Sequence, residues 1–383
     1  MRGERLKVRG QRPKIGSRAG FHCLLFTVYC SLLFLSSCAG GKPISTSLYN
    51  GEKIRIAVLK GVKESKIGGG AHLSLVKLGK SGGITVNDSI IAESSVTFLP
   101  DNGVIYLNGR PFRGKIDVIK DGNGLLVVNE LPLEFYVAGL INHEISSKWP
   151  IEAVKAQAVI ARTYALYQKK KRGKGLYHME ATVTDQVYAG STAEDDRSLY
   201  AVKETVGEVV TYDGEPALTV YHSNGGGMTE DPQNVWGKDY PYLKQVESPF
   251  DKDAPNFFWT LNISPQAVEA ALKNVGYQVS GVQDITPLYT TNSGRVAKIR
   301  VRHGSGELEM SGEELRKTIG YDKLKSTMFT VEMVDGLFVF SGKGSGHGVG
   351  LSQWGAKGMA EKGYSYAEIL KHFYPGTRIE RIY

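Results

Sequence analysis

Beyond residue 38 the chain has no cysteine at all; its three, Cys23, Cys30 and Cys38, fall in the N-terminal tenth of 383 residues. The body therefore carries no disulfide framework, no thiolate nucleophile and no cysteine ligand for a metal. Its seven histidines are scattered, and the one that precedes a glutamate, in His143-Glu144, is followed by serine at position 147. The H-E-x-x-H signature of a zinc protease is thus missing. So are the phosphate loops: no G-x-G-x-x-G opens a strand-helix unit and no G-K-[ST] follows a glycine run. Long apolar runs are scarce as well, because the uncharged run over residues 21–37 is short for a comfortable bilayer crossing. Charge of one sign is also nearly missing from the body. Of 47 Lys/Arg and 39 Asp/Glu, seven and one lie in residues 1–37, which leaves 40 against 38. A body so close to neutral gives no electrostatic footprint for nucleic acid.

The N-terminal block is a basic region followed by the uncharged run and the sequence Leu35-Ser36-Ser37-Cys38. Small residues before a cysteine at the end of such a run resemble the bacterial lipoprotein cleavage box. This resemblance implies cleavage before Cys38 and lipid attachment there. The expected organisation is a signal peptide over 1–37, a tether over 38–52, a β-rich N-terminal domain over 53–128 and a catalytic domain over 129–383. Such a protein is exported to the cell envelope and lipid-anchored, on the outer leaflet of the cytoplasmic membrane or the periplasmic face of an outer membrane.

Between residues 53 and 128, short alternating runs such as IRIAVL, HLSLVKL and GLLVVNE are punctuated by glycine, the pattern of strands. A G-x-S-x-G at 79–83 sits between two such runs, in a hairpin setting rather than the strand-turn-helix of a nucleophile elbow. The character changes at Leu131. One helix is expected to about Ile145, then a break, then a strong alanine-rich helix from Pro150 that ends in Lys169 to Arg172. Apolar residues on several of its faces predict burial on most sides. Further on come strands at 208–212, 217–222 and 296–301, a helix over 264–275 capped by Ser264, a short helix capped by Ser352, and another opened by the capping box of Ser365 and Glu368. The fold class is α+β: a β-rich N-terminal domain followed by a mixed catalytic domain with a buried helix packed on strands.

Few groups remain for chemistry. Glu144 has apolar neighbours in Leu140, Ile145 and Trp149, and a carboxyl held among apolar groups is raised towards the range of a general acid. Arg162 interrupts an apolar helix and needs partners, either substrate or a buried acid. Trp236 and Trp354 offer aromatic faces for core packing or for stacking on sugar rings. His222 lies beside the glycines of SNGGG. The stretch GKGSGHGVGLSQWGA, residues 342–356, surrounds His347 with glycine. Alternate glycines would clear one face of a strand for a flat ligand, or allow close packing on the helix from Pro150.

Four ordered blocks, NELPLEFYVAGLINHEISSKWPIEAVKAQAVIARTYAL, DQVYAG, YHSNGGGMTEDPQNVWGKDYPYL and GKGSGHGVGLSQWGAKGMAEKGYSYAEILKHFYPGT, together resemble the SpoIID/LytB family of bacterial cell-wall proteins. The resemblance implies lytic transglycosylase activity on peptidoglycan glycan strands that lack stem peptides; other members are described as amidase enhancers. It assigns the catalytic acid to Glu144, in the context EISSKWP; the candidate substrate contacts are Arg162, Gln186, Tyr188, His222, Trp236, His347, Ser352, Gln353 and Trp354. Partners would be glycan strands and a cell-wall amidase, without nucleic acid. Some relatives bind zinc with cysteine and histidine where this chain has SNGGG, so neither metal nor other cofactor is expected. A single acid suits lytic cleavage, since the attacking C6 hydroxyl belongs to the substrate itself and two protein carboxylates are not required. The rival readings are a hydrolytic glycosidase and a glycan-binding protein without catalysis.

Overall fold

The computed structural model describes residues 48, 51–69, 72–79, 82–182 and 185–383. The expected signal peptide, Cys38 and most of the tether lie outside the described residues.

Residues 53–132 form two sheets. The first has the spatial order Met179–Glu180, Lys53–Val62, Gly124–Pro132, Lys115–Asp121, Ser95–Phe98; all its pairings are antiparallel except that of Met179–Glu180 with Lys53–Val62. The second is a six-stranded antiparallel sheet built within residues 64–112. The G-x-S-x-G is indeed in a hairpin: Gly79 N–H donates to Gly83 O at 2.7 Å between the strands His72–Leu78 and Ile84–Val86.

The strand Gly124–Pro132 runs directly into helix α1 (Leu133–Glu144), whose first nine residues are buried. After a loop, Pro150 occupies the cap position rather than the first helical residue, and α2 spans Ile151–Arg172. Burial of α2 on most sides has a definite cause. Val154, Ala158, Ala161 and Ala165 face a first core shared with the N-terminal sheets. Ala156, Val159 and Ile160 face a second, completed by the C-terminal helices α7 and α8. Small residues on both stripes let the backbones of two cores approach one helix.

Four helices lie between: α3 (Asp196–Glu204), α4 (Pro232–Trp236), α5 (Pro265–Asn274) and α6 (Gly312–Ile319). Residues 259–340 build a third core of their own, with α5 and α6 packed on two three-stranded sheets. The chain then returns to the second core through α7 (Gln353–Glu361), capped by Ser352, and α8 (Tyr366–Phe373), opened by the Ser365/Glu368 capping box.

Two expectations change. Of residues 217–222, only Tyr221–His222 is strand, paired parallel with Leu351–Ser352. The glycine-rich stretch is no strand face either. The strand Leu337–Lys343 takes in only Gly342 of its alternate glycines, and Gly344, Gly346, Gly348 and Gly350 all have left-handed φ, between 71° and 111°. A Cβ at Gly346 would lie 2.6 Å from His222 Cβ, one at Gly348 2.5 Å from Arg295 Cζ and one at Gly350 2.1 Å from Val220 O. The glycines thus let this segment lie against a second glycine-rich turn, residues 220–227, and against Arg295. Packing on α2 is not what they serve.

Candidate active site

Glu144 is the last residue of α1, where the helix is stopped by an extended Ile145 whose N–H still donates to Ile141 O at 2.8 Å. The loop that follows is fastened. Ser147 N–H donates to Asn142 Oδ1 at 2.8 Å, Ser147 Oγ to Asp195 Oδ2 at 2.6 Å, and Arg197 donates to the carbonyls of Ser147 and Trp149. The carboxyl is half-buried and points to the segment 185–188. Val187 N–H donates to Glu144 Oε1 at 3.1 Å. Behind it runs a chain of buried polar groups: Tyr136 Oη donates to Gln186 Oε1 at 2.9 Å, and Gln186 Nε2 donates to Tyr221 Oη at 3.3 Å. Tyr221 then directs its own proton to Glu144. Each link orients the next, which fixes the carboxyl without neutralising it.

Glu144, Tyr164, Asp185, Val187, Trp236 and His347 line a cavity of about 450 Å³. Asp185 is held by the Arg172 guanidinium at 3.0 Å, by Glu180 N–H at 2.8 Å and by Tyr164 Oη at 3.3 Å. Its oxygens are engaged, whereas among the described residues Glu144 forms no ion pair. Burial raises the Glu144 carboxyl above its ordinary value, and the hydrogen bonds from Val187 and Tyr221 only partly offset this. Burial, with Arg316 and Arg295 nearby, lowers His347 to about 4. The imidazole is therefore neutral at pH 7. Its Nδ1 accepts from Val349 N–H at 3.1 Å, so the ring proton sits on Nε2. Trp236, at the end of α4 and 45% exposed, lies 5.2 Å from the His347 ring and lines the cavity with its indole. Below them is buried His222, its ring 5.6 Å from that of His347 and lowered well below the usual imidazole range by burial. Its Nδ1 faces Val349 O at 3.1 Å. Among the described residues no three histidine, aspartate or glutamate side chains converge as a metal site.

Of the residues singled out in the sequence, Glu144, Gln186, Trp236 and His347 surround this cavity, with His222 under its wall. Others do not reach it. Arg162 is fully buried, donates to both Glu134 oxygens at 2.9 and 2.6 Å and to Glu208 O at 2.9 Å, and exposes no atom to a substrate. Tyr188 is buried with its hydroxyl on Asn129 Oδ1 at 3.0 Å; it anchors the segment that carries Val187. Ser352 is buried, capping α7 and donating to Asp251 Oδ2 at 3.1 Å, and Gln353 is buried with Nε2 3.4 Å from Gln157 Oε1. Trp354 packs 5.1 Å from Trp149, with the Lys357 ammonium 4.9 Å over its ring. The sequence reading missed Tyr164, Asp185, Val187 and Tyr221. Asp185 and Val187 stand inside DQVYAG and Tyr221 beside His222, so the signal was a position next to residues already chosen.

The chain is 31% identical to a stage II sporulation protein D from Bacillus amyloliquefaciens, over 66% of this chain and 75% of that protein. It belongs to the SpoIID/LytB family. The family model described as stage II sporulation protein, SpoIID, matches residues 121–212, the part of this family member that carries α1, Glu144 and α2. A second model, described as a domain of unknown function, matches residues 238–350, which include the third core. This SpoIID/LytB protein is also 35% identical to an uncharacterised protein of Brachyspira hyodysenteriae, over 78% of this chain and 79% of the other. It is 32% identical to an amidase enhancer of Bacillus subtilis strain 168, over 63% of this chain but only 40% of that longer protein.

Proposed function

We propose that the protein works outside the cytoplasm on peptidoglycan glycan strands, and that Glu144 cleaves them as a lytic transglycosylase. The observation that carries this reading is the Glu144 carboxyl, raised by burial and fastened by Val187 and Tyr221, in the wall of a cavity whose other carboxylate, Asp185, is tied up by Arg172 and which also offers an indole and a neutral imidazole. In the reaction the protonated Glu144 gives its proton to the glycosidic oxygen as the bond from C1 of N-acetylmuramic acid breaks. The C6 hydroxyl of the same sugar then closes on C1, and the Glu144 carboxylate takes the hydroxyl proton, so one group serves as acid and then as base. Intramolecular closure of this kind draws on a high effective molarity, which lowers the barrier by on the order of several kcal/mol. In this reading Trp236 stacks on a sugar ring and the neutral His347 forms part of the same wall.

A second reading is favoured by the similarity to the amidase enhancer, whose name supports stimulation of a partner more directly than cleavage. In that case the same cavity holds a strand that it does not cut, and a separate amidase is accelerated. The test is incubation of the protein with peptide-free strands and mass analysis of the products. The leading proposal expects 1,6-anhydro-N-acetylmuramic acid ends. Reducing ends would make the enzyme a hydrolase; uncut strands, together with faster release of peptide from peptide-bearing strands by an added amidase, would establish the enhancer.

A further inference from the structure

A groove of about 710 Å³ lies apart from the cavity beside Glu144 and shares no lining residue with it. It runs over the three-stranded sheet of Phe258–Ile263, Leu337–Lys343 and Phe329–Val334, in that spatial order, and its other lining is the turn Gly226 to Met228 with Ser293 and Gly294. The antiparallel register decides what the sheet presents there. Phe258 stands opposite Lys343, and two residues along, on the same face, Thr260 stands opposite Ser341, which is in turn opposite Thr330. All five are exposed, while the alternate residues Trp259, Phe329 and Phe340 turn inward to the third core. The groove thus offers a phenyl, 69% exposed, beside a row of three hydroxyls. A pyranose matches that combination, since its C–H face covers an aromatic ring and its hydroxyls exchange hydrogen bonds with Ser and Thr.

One charge completes the lining. The Lys343 ammonium lies 5.4 Å from the centre of the Phe258 ring and, among the described residues, enters no ion pair; no aspartate or glutamate lines the groove. An ammonium without a partner beside a sugar platform favours a sugar that carries negative charge. Among the sugars of a peptidoglycan strand, N-acetylglucosamine has no ionisable group. The lactyl side chain of N-acetylmuramic acid ends in a neutral amide while a peptide is attached. Hydrolysis of that amide leaves a carboxylate, which is ionised at neutral pH.

We infer that the groove binds N-acetylmuramic acid of peptide-free strands, with Phe258 against the sugar ring, the hydroxyls of Thr260, Ser341 and Thr330 along it, and Lys343 paired with the free lactyl carboxylate. The inference rests on the glycan reading of this protein and is independent of cleavage at Glu144. Lys343 is then a specificity residue: a strand with its peptides in place presents a neutral amide where the ammonium needs an anion.

The test is binding by the full-length protein in detergent, carrying Glu144→Gln so that strands are not shortened during the measurement. Three oligosaccharides of equal length serve as probes: peptide-free strands, the same strands with each lactyl carboxyl capped as a methylamide, and N-acetylglucosamine oligomers, which lack the lactyl group. The uncapped strands should bind about fivefold more tightly than either neutral probe, the scale of one exposed ion pair. Lys343→Met should erase that preference and leave the affinity for the neutral probes unchanged, while Lys343→Arg should keep it. Phe258→Ala should weaken all three probes alike, since stacking does not depend on the carboxylate. Equal affinity for capped and uncapped strands overturns the inference, as does a preference that survives Lys343→Met or a Phe258→Ala protein with unchanged affinities. If none of the probes binds, the glycan reading itself fails and the inference falls with it; strands that bind without dependence on Lys343 or Phe258 sink the inference alone.

Discussion

Glu144 and His347 face one cavity and are moved in opposite directions by one cause, since burial penalises whichever form is charged. Both are thereby favoured neutral, the carboxyl as an acid and the imidazole as a hydrogen-bond donor. The linked effects on stability have opposite signs. For His347, lowered to about 4, the folded state binds fewer protons than the unfolded one, so its contribution is full above about pH 6.5 and is lost as the pH falls through about 4. For Glu144, raised by burial, the contribution is full below the ordinary carboxyl value and is lost as the pH rises through the folded value. Glu144→Gln keeps an oxygen for Val187 N–H but cannot ionise, so it should raise the melting temperature at pH 8 by a few degrees and change it little at pH 4. A lower melting temperature than wild type at pH 8 would mean that the carboxylate is stabilised in place. Glu144 was legible in the sequence because its apolar neighbours are adjacent in the chain. Tyr221 and Asp185 were not, because what brings them to the cavity is a parallel pairing and an ion pair between distant segments.

At the scale of elements, α1 and α2 are fastened by the Glu134–Arg162 pair inside the first core. Glu134 also accepts from Gly207 N–H at 3.1 Å and Tyr383 Oη at 2.7 Å, so it ties both helices to the chain's last strand region. Breaking a buried pair leaves an uncompensated charge, at a cost of about 3–5 kcal/mol. Glu134→Ala should accordingly lower the urea midpoint sharply, with the slope unchanged. A midpoint near that of wild type would show that the pair is dispensable and would reopen a substrate role for Arg162. The helices themselves were readable because their caps are local chemistry: Ser264, Ser352 and the Ser365/Glu368 box each act within three residues. The glycine-rich stretch was misread for the converse reason. Its left-handed residues answer to Val220, His222 and Arg295, partners more than fifty residues away in the chain, and no local pattern names them.

Across the whole molecule, the Glu144 cavity belongs to no single core. Glu144 comes from the end of a helix of the first, Val220 packs on the second, and His347 arrives on the segment that leaves the third. A stretch of 259–340 that the sequence reading ran together with its flanks thus sets the position of the return segment. Cleavage by such a site depends on one proton at one carboxyl, and the direct measurement is single-turnover cleavage of peptide-free strands by Glu144→Gln beside a binding curve for the same strands. Binding should persist while cleavage falls by about 10²-fold or more, the usual scale of general acid-base catalysis. A variant that binds strands and cuts them at nearly the wild-type rate would contradict the account.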